Sequence, residues 1–394
     1  MLQSMYLNDV GVVCALGTDK ASVRAGLFAP APGGVAVNTS IVPGRELFLG
    51  VVNADLPDMA ELPAHLHSRN NALLLCALQQ IRGAVDAAIS RYGAHRVAVV
   101  VGTSTSGIGE AQFAMADFAK TQQLPANFHF AQQEMGSPTM ALNAVLGLSG
   151  PVVGISTACS SSAKALASAA RLLQAGMADA VIAGGIDALS HFTVAGFSAL
   201  EAVSDQRCNP LSRNRSGINI GEGGALFLMT REPSDVRLAG WGETSDAYHI
   251  SAPSPQGIGA LAAMRAALER AQVAPSAIDY INLHGTATRQ NDSAECLAVH
   301  GLFGAQTPVS STKPLTGHTL GGAGALEAAL CWLTLKDNPQ GLLPTHWWDG
   351  ATDPELAPVH VVQTGERLGR PLNYVVSNSF AFGGNNASLV LAQA

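Results

Sequence analysis

The chain has 394 residues, 47% of them hydrophobic and only 13% charged, which excludes a disordered or fibrous protein. Its 22 Lys and Arg against 29 Asp and Glu leave a formal charge of −7, so neither a nucleic acid nor an anionic membrane is indicated as the main partner. No apolar run reaches the roughly 18 residues of a membrane span and no signal-type segment is seen. The six scattered cysteines, without a C-x-x-C pair, read as reduced thiols of a cytoplasmic protein.

In chain order the pattern predicts a helix over 71–89, strands over 97–101 and 151–155, and a helix over 160–174 stopped by Gly176. A strand over 179–183 and another over 226–230 follow. The remainder alternates in the same way: helix 259–271, strand 280–283, helix 292–300, strand 309–311, helix 323–335, and strands 374–377 and 389–391. Short β-branched runs between alanine-rich helices argue for α/β layers. One internal echo stands out: V-V-V-G-T-S-T over 99–105 and I-N-L-H-G-T-A-T over 281–288 each run from a strand into G-T-x-T, with Gly102 matching Gly285. The echo favours two related halves, 1–240 and 241–394, joined near 230–250.

Cys159, in G-I-S-T-A-C-S-S-S-A-K, lies where a strand gives way to a helix. Unpaired N–H groups and the helix dipole at such a junction stabilise a thiolate, and can lower a thiol from about 8.5 toward neutrality. A nucleophile and an inert buried thiol both fit this position. His284 opens H-G-T-A-T at the carboxyl end of a strand, where open α/β sheets place their chemistry. His318 sits in a glycine-rich turn before an alanine-rich helix. Glu327 lies inside that apolar helix, where an unpaired carboxylate is costly, so a partner such as Lys313 is expected. Cys296 and His300, four apart, are one pair without a second and make a weak metal signal. The glycine-rich stretch 380–386 lacks both the G-K-[ST] of a P-loop and the G-x-G-x-x-G of a dinucleotide site.

Read together, T-A-C-S-S-S around Cys159, H-G-T-A-T at His284 and T-K-P-L-T-G-H-T-L-G-G-A-G-A-L-E from Thr312 to Glu327 resemble the elongating β-ketoacyl-acyl carrier protein synthases of the thiolase superfamily. The resemblance runs from V-G-V-V-C-A-L-G near the start to S-N-S-F-A-F-G-G-N-N at the end. It implies a thiolase-like α/β fold, a duplicated α-β-α-β-α core of two mixed five-stranded sheets. It also implies a decarboxylative Claisen condensation of malonyl-carrier protein with an acyl group held on Cys159. By the same resemblance His284 and His318 donate to the enolate, Lys313 and Glu327 form a supporting charged pair, and the N–H groups of Cys159 and Phe382 form an oxyanion hole. Thr286 and Thr288 match threonines that hold the phosphopantetheine arm. Phe382 and Gly383 match a gate, and Ile108 and Phe197 match the acyl pocket. No metal or cofactor is implied beyond the arm that the acyl carrier protein supplies.

A histidine at 318, and no cysteine after Cys331, favour elongation over the initiating synthases and the degradative thiolases. A non-catalytic chain-length subunit would lack Cys159. Several segments depart from the fatty acid enzymes. P-L-S-R-N-R-S-G-I-N-I stands where P-F-D-x-x-R-D-G-F is common, so Ser212 and Ser216 replace acids and Ile218 an aromatic. Arg289-Gln290-Asn291 replaces a smaller-residue run, and P-T-H-W-W-D-G is unlike the housekeeping form. These departures resemble synthases of specialised pathways such as aryl polyenes, with housekeeping elongation as the alternative. Arg207, Arg213 and Arg215 cluster in one segment and are candidates for docking an acidic carrier protein, with an ordinary solvated loop as the other reading. A homodimer is the family expectation, with a heterodimer containing a chain-length-factor-like subunit as the variant.

Overall fold

The computed structural model describes residues 5–394. Ten strands carry the architecture: β1 (Met5–Val13), β2 (Val97–Gly102), β3 (Val152–Ile155), β4 (Ala180–Asp187), β5 (Gly223–Thr230), β6 (Val236–Ser245), β7 (Tyr280–Asn282), β8 (Pro308–Ser310), β9 (Tyr374–Ala381) and β10 (Asn385–Gln393). The first five lie side by side as β3-β2-β4-β5-β1 and the last five as β8-β7-β9-β10-β6. In the first unit β3, β2 and β4 are parallel while β5 and β1 are antiparallel. The second repeats that pattern strand for strand. Gly102 therefore closes β2 and Gly285 follows β7 at equivalent places, which gives the G-T-x-T echo its structural meaning.

The expectation of two separate sheets needs one adjustment. Met5 and Tyr6 of β1 pair with Leu238 and Arg237 of β6, so hydrogen bonding runs from one unit into the next. With a two-residue strand, His360–Val361, beside β8, the continuous sheet has 11 strands.

Layering follows from which face each residue occupies. Along β2, Val97, Val99 and Val101 face helix α1 (Arg69–Tyr92), packing with Leu74, Leu78 and Ile81. Ala98 and Val100 point the other way, into a core shared with Trp241, Tyr280 and Leu389 of the second unit. Helices α2 (Ser161–Gln174) and α5 (Ala323–Leu335) lie in that shared core. The far face of the second unit packs on α3 (Ile258–Ala271) and α4 (Arg289–Phe303) through Ile281, Val376, Met264 and Val299. The layers read α-β-α-β-α. Helix α1 is long and apolar enough to cross a membrane, but here its apolar side covers a sheet.

The central helices approach the sheets and each other closely because their contact residues are small. A Cβ on Gly324 of α5 would meet the Ala163 Cβ of α2 at 2.7 Å, and one on Gly102 would meet the Ser161 carbonyl carbon and Ser162 N at 2.4 Å. The strand expected over 179–183 runs on to Asp187, through Gly184 and Gly185. In the sheet they allow close backbone contact, with 2.4 Å left between a Cβ on Gly185 and the Gly102 oxygen.

Gly102→Ala is a sharp test of this packing, since its neighbours are backbone atoms that cannot rotate away. The substitution should cost about 3 kcal/mol, the upper end of overpacking, and displace the start of α2. Chemical denaturation would measure this, and a loss under about 0.5 kcal/mol would show that the layer has slack.

Candidate active site

Between β3 and α2 the chain makes a tight turn, with Ala158 at φ +52°, a left-handed conformation that a residue with a side chain rarely adopts. Hydroxyls lock it: Ser161 Oγ donates to the Ala158 carbonyl at 2.6 Å and accepts from Thr157 N at 2.8 Å, and Ser160 Oγ donates to the Thr157 carbonyl at 2.8 Å. The turn carries Cys159 to the head of α2, with its Sγ 3.0 Å from His318 Nε2. The backbone N–H groups of Cys159 and Phe382 also reach the thiol. Sequence position suggested a thiol lowered toward neutrality. In the structure, burial instead pushes it up to about 12, against the opposing pull of Lys313 and those N–H groups. The helix entrance is not open to water, so desolvation outweighs the field of the helix.

His284 follows β7 and His318 follows the short helix Lys313–Thr316. Their rings meet edge to face, centroids 5.3 Å apart. Burial and the nearby Lys313 charge hold both well below the usual imidazole range, so both are neutral. Lys313 is fully buried, ion-paired with Glu327 of α5 and hydrogen-bonded to the His284 carbonyl. Its Nζ also lies 3.5 Å from His284 Nδ1. An ammonium only donates, so His284 Nδ1 accepts and its proton sits on Nε2. His318 Nδ1, by contrast, has no hydrogen-bond partner among the described residues. The donor atoms of Cys159, His284 and His318 lie within 4.8 Å of one another, a spacing that a metal could use. The buried ammonium beside them opposes a second cation. Cys296 and His300 do not converge: Cys296 is buried, while His300 contacts the Pro358 carbonyl at 2.9 Å.

Three buried carboxylates that sequence reasoning missed hold the loops in place. Asp187, at the end of β4, accepts from the N–H groups of Ser104 and Thr105 at 3.0 Å, from the Thr103 and Ser104 hydroxyls, and from Gly321 N at 2.6 Å. It ties the loop after β2 to the turn just beyond His318. Glu295 of α4 accepts from His284 N and Gly285 N, each at 2.8 Å. Asp292 accepts from Leu211 N at 2.9 Å and Ala287 N at 3.2 Å. Asp187, closing an apolar strand, carried the signal that identified Glu327; Asp292 and Glu295 lie in the polar opening of α4 and carried none.

Two chambers meet at Cys159. One, about 500 Å³, is lined by His284, His318, Thr286, Thr288 and Phe382; the two threonine hydroxyls are 3.0 Å apart. The other, about 470 Å³, is apolar and lined by Ile108, Phe192, Phe197, Leu200, Leu320 and Phe382. The Phe197 and Phe382 rings stand between them, centroids 5.8 Å apart. Gly383 beside Phe382 has φ +78°, and its N–H donates to the Ile250 carbonyl at 2.8 Å.

The arginine cluster does not form one surface. Arg215 is buried, bonded to Asp353 at 2.5 Å, and cannot dock a carrier. Arg207 is half-buried and donates to the carbonyls of Gly33, Val35 and Pro314, latching loops together. Only Arg213 is exposed. Adjacency in sequence failed here because the segment turns back on itself. It is anchored to the W-W-D-G stretch, with Ser212 Oγ and Asn214 Nδ2 each donating to Asp349 at 2.8 Å.

The family model described as beta-ketoacyl synthase matches this chain in two parts, the N-terminal domain over residues 68–234 and the C-terminal domain over 236–345. A 3-oxoacyl-(acyl-carrier-protein) synthase 2 of Staphylococcus aureus is 38% identical over 273 residues, 64% of this chain and 66% of that protein, just under two thirds of its length. Nodulation protein E of Rhizobium leguminosarum bv. trifolii is 31% identical with 100% of both chains covered. Among solved structures, a ketosynthase (ApeO) in complex with its chain length factor (ApeC) from Xenorhabdus doucetiae superposes with a TM-score of 0.93 at 44% identity, covering 100% of this chain and 98% of that one. A beta-ketoacyl synthase from Burkholderia phymatum gives 0.86 at 27% identity, with 100% of both covered.

Glu295 offers a test through pH. Burial holds it at about 7, above the usual 4.5, so the folded protein binds its proton more tightly than the unfolded chain. The associated stability is complete below pH about 4.5 and is lost as the pH rises through about 7. Glu295→Gln should lower overall stability yet flatten the decline in urea midpoint between pH about 4.5 and 7. An unchanged slope would contradict this assignment.

Proposed function

The chain belongs to the beta-ketoacyl synthase family, and from that premise we propose that it is a cytoplasmic β-ketoacyl-acyl carrier protein synthase whose nucleophile is Cys159. The observation that carries this reading is the 3.0 Å approach of His318 Nε2 to the Cys159 thiol, with His284 edge-on beside them. In acyl transfer the thiol proton passes to His318 Nε2 as sulfur attacks the thioester of the acyl-carrier protein. The N–H groups of Cys159 and Phe382 hold the tetrahedral oxyanion, and the departing carrier thiolate takes the proton from His318. In the second half-reaction malonyl-carrier protein loses carbon dioxide. The electron pair of the broken carbon–carbon bond enters the thioester enolate, held by N–H donors of His284 and His318. The carbanion then attacks the acyl carbon, Cys159 leaves as thiolate, and the chain is two carbons longer.

His318 must accept at Nε2 in the first step and donate from it in the second. Its Nδ1, without a fixed partner among the described residues, is compatible with either tautomer. His284 is the constant donor because Lys313 fixes its proton on Nε2. Thr286 and Thr288 serve the phosphopantetheine arm, which the carrier brings, and no other cofactor is invoked. Ile108 and Phe197 line the acyl chamber, with Phe382 and Gly383 as its gate. Arg213 remains the exposed candidate of the docking trio.

We further propose conjugated, polyene-type acyl chains as substrates and a chain-length-factor-like subunit as partner, with a homodimer as the alternative. The departures at Ser212, Ile218 and 346–349 support the first. The Xenorhabdus ketosynthase, described in complex with its chain length factor, supports the second. So does the apolar outer wall of the acyl chamber, where Phe192 and Leu200 are 60% and 58% exposed.

Intact-protein mass spectrometry with saturated, polyenoyl and aryl-enoyl carrier proteins tests the reading. Adducts on Cys159 from conjugated chains alone support it. Adducts from saturated chains point to ordinary elongation, and no adduct with or without a partner subunit removes the catalytic reading. Cys159→Ala should abolish the adduct yet still decarboxylate malonyl-carrier protein. His318→Ala should slow decarboxylation about 10²–10³-fold while leaving a detectable adduct; normal decarboxylation would remove its role as donor. Arg213→Glu should raise KM for the carrier-bound donor, more so at low salt, and an unchanged KM would end its docking role.

A further inference from the structure

We propose that Arg289 contacts the phosphate of the carrier's arm, forming an anion subsite at the mouth of the Cys159 chamber. The proposal rests on the phosphopantetheine reading of that chamber and assigns its outer end.

His284, Thr286, Thr288 and Arg289 line the same chamber, with Cys159 at its floor. Exposure rises along this run, from 2% at His284 and 6% at Thr286 to a half-buried Thr288 and an exposed Arg289. Four residues of one segment therefore trace a path from the reacting sulfur to solvent. An arm whose thioester lies at Cys159 leaves along that path, past the threonine hydroxyls. Its far end is a phosphodiester, a tetrahedral anion that a guanidinium fork matches better than any other side chain.

Arg289 is free to meet it. Among the described residues it forms no ion pair, and the carboxylates near it are engaged. Asp353 feels its field but is bonded to Arg215 at 2.5 Å, and the buried Asp292 accepts from Leu211 and Ala287. Across the mouth, Ser216 stands where an acid is common, and its hydroxyl lies 2.9 Å from that of Ser204. An aspartate there would compete for the guanidinium. Both departures, arginine for a small residue and serine for an acid, make the mouth more positive. The one carboxylate in the lining, Glu201, belongs to the segment that carries Phe197 and Leu200, not to this run.

The test compares acyl-carrier protein, acyl-phosphopantetheine and acyl-pantetheine as donors, following the rate of Cys159 acylation by intact mass. These donors differ first by the carrier and then by the phosphate alone. For Arg289→Gln, the loss of efficiency should be at least about tenfold larger for the two phosphate-bearing donors than for acyl-pantetheine. It should appear in KM, with kcat retained, and Arg289→Lys should recover part of it. Equal losses on all three donors would overturn the proposal in favour of a structural role. A loss with the carrier alone would overturn it in favour of protein docking, and no loss would overturn it outright. Failure of every donor to acylate the unsubstituted chain would remove the ketosynthase reading and this subsite with it.

Discussion

Lys313 places its ammonium where only 1% of the residue meets solvent, and the centre of the molecule is arranged around that charge. A buried ammonium is tolerable only with a counter-charge and saturated hydrogen bonds. Glu327 supplies the charge from α5, and the His284 carbonyl accepts a further bond. Three consequences reach Cys159, His284 and His318. After burial, the ammonium is the main influence keeping both imidazoles neutral; it also fixes the His284 proton on Nε2 and is the largest influence favouring the Cys159 thiolate against burial. One charge thus favours an anion on sulfur and, with burial, disfavours cations on the resting rings. Glu327, lifted by its own burial to about 7, keeps the site from being uniformly positive.

The three residues that converge in the proposed site were legible in the sequence because each sits at a break in pattern: a cysteine at a strand-to-helix junction, a histidine closing a strand, and a histidine in a glycine-rich turn. The Lys313–Glu327 pair was legible for an energetic reason, since a carboxylate in an apolar helix demands a partner. The loop-holding acids were not. About half the partners of Asp187, Glu295 and Asp292 are backbone N–H groups, which leave no mark in residue type, and the hydroxyls and amides that supply the rest are common residues with nothing in the sequence to single them out. The arginine trio shows the opposite error. Arg215 lies two residues from exposed Arg213, yet it is buried against Asp353, because its neighbourhood is set by the 346–353 stretch, distant in sequence.

That stretch also explains a departure. Ser212 occupies a place where an acid is common, and its hydroxyl donates to Asp349 at 2.8 Å. In this chain the carboxylate of the contact comes from the facing loop, and Ser212 is its donor. His346 closes the same junction, accepting from Ser311 N at 3.0 Å and donating to the Pro210 carbonyl at 2.9 Å. Its neutral form is the only one able to do both, which agrees with burial holding it at about 4. The W-W-D-G segment and the P-L-S-R-N-R-S-G segment, distant in sequence, therefore form one hydrogen-bonded junction.

Duplication poses the same local problem twice, and the two solutions show how the halves diverged. After β2 and after β7 the chain leaves the sheet through G-T-x-T, exposing consecutive N–H groups with no strand to receive them. In the first half Asp187, on β4, accepts Ser104 N and Thr105 N. In the second, Glu295 on α4 accepts His284 N and Gly285 N, while Asn378 of β9, the strand equivalent to β4, donates to that carboxylate at 3.3 Å. The acceptor has shifted from strand to helix. In the first half the carboxylate also takes Gly321 N and so reaches across to the turn that carries His318. In the second it binds the backbone N–H of His284 itself. Each histidine is thereby positioned by a carboxylate that never touches its ring, which leaves both rings, neutral at rest, turned toward one sulfur.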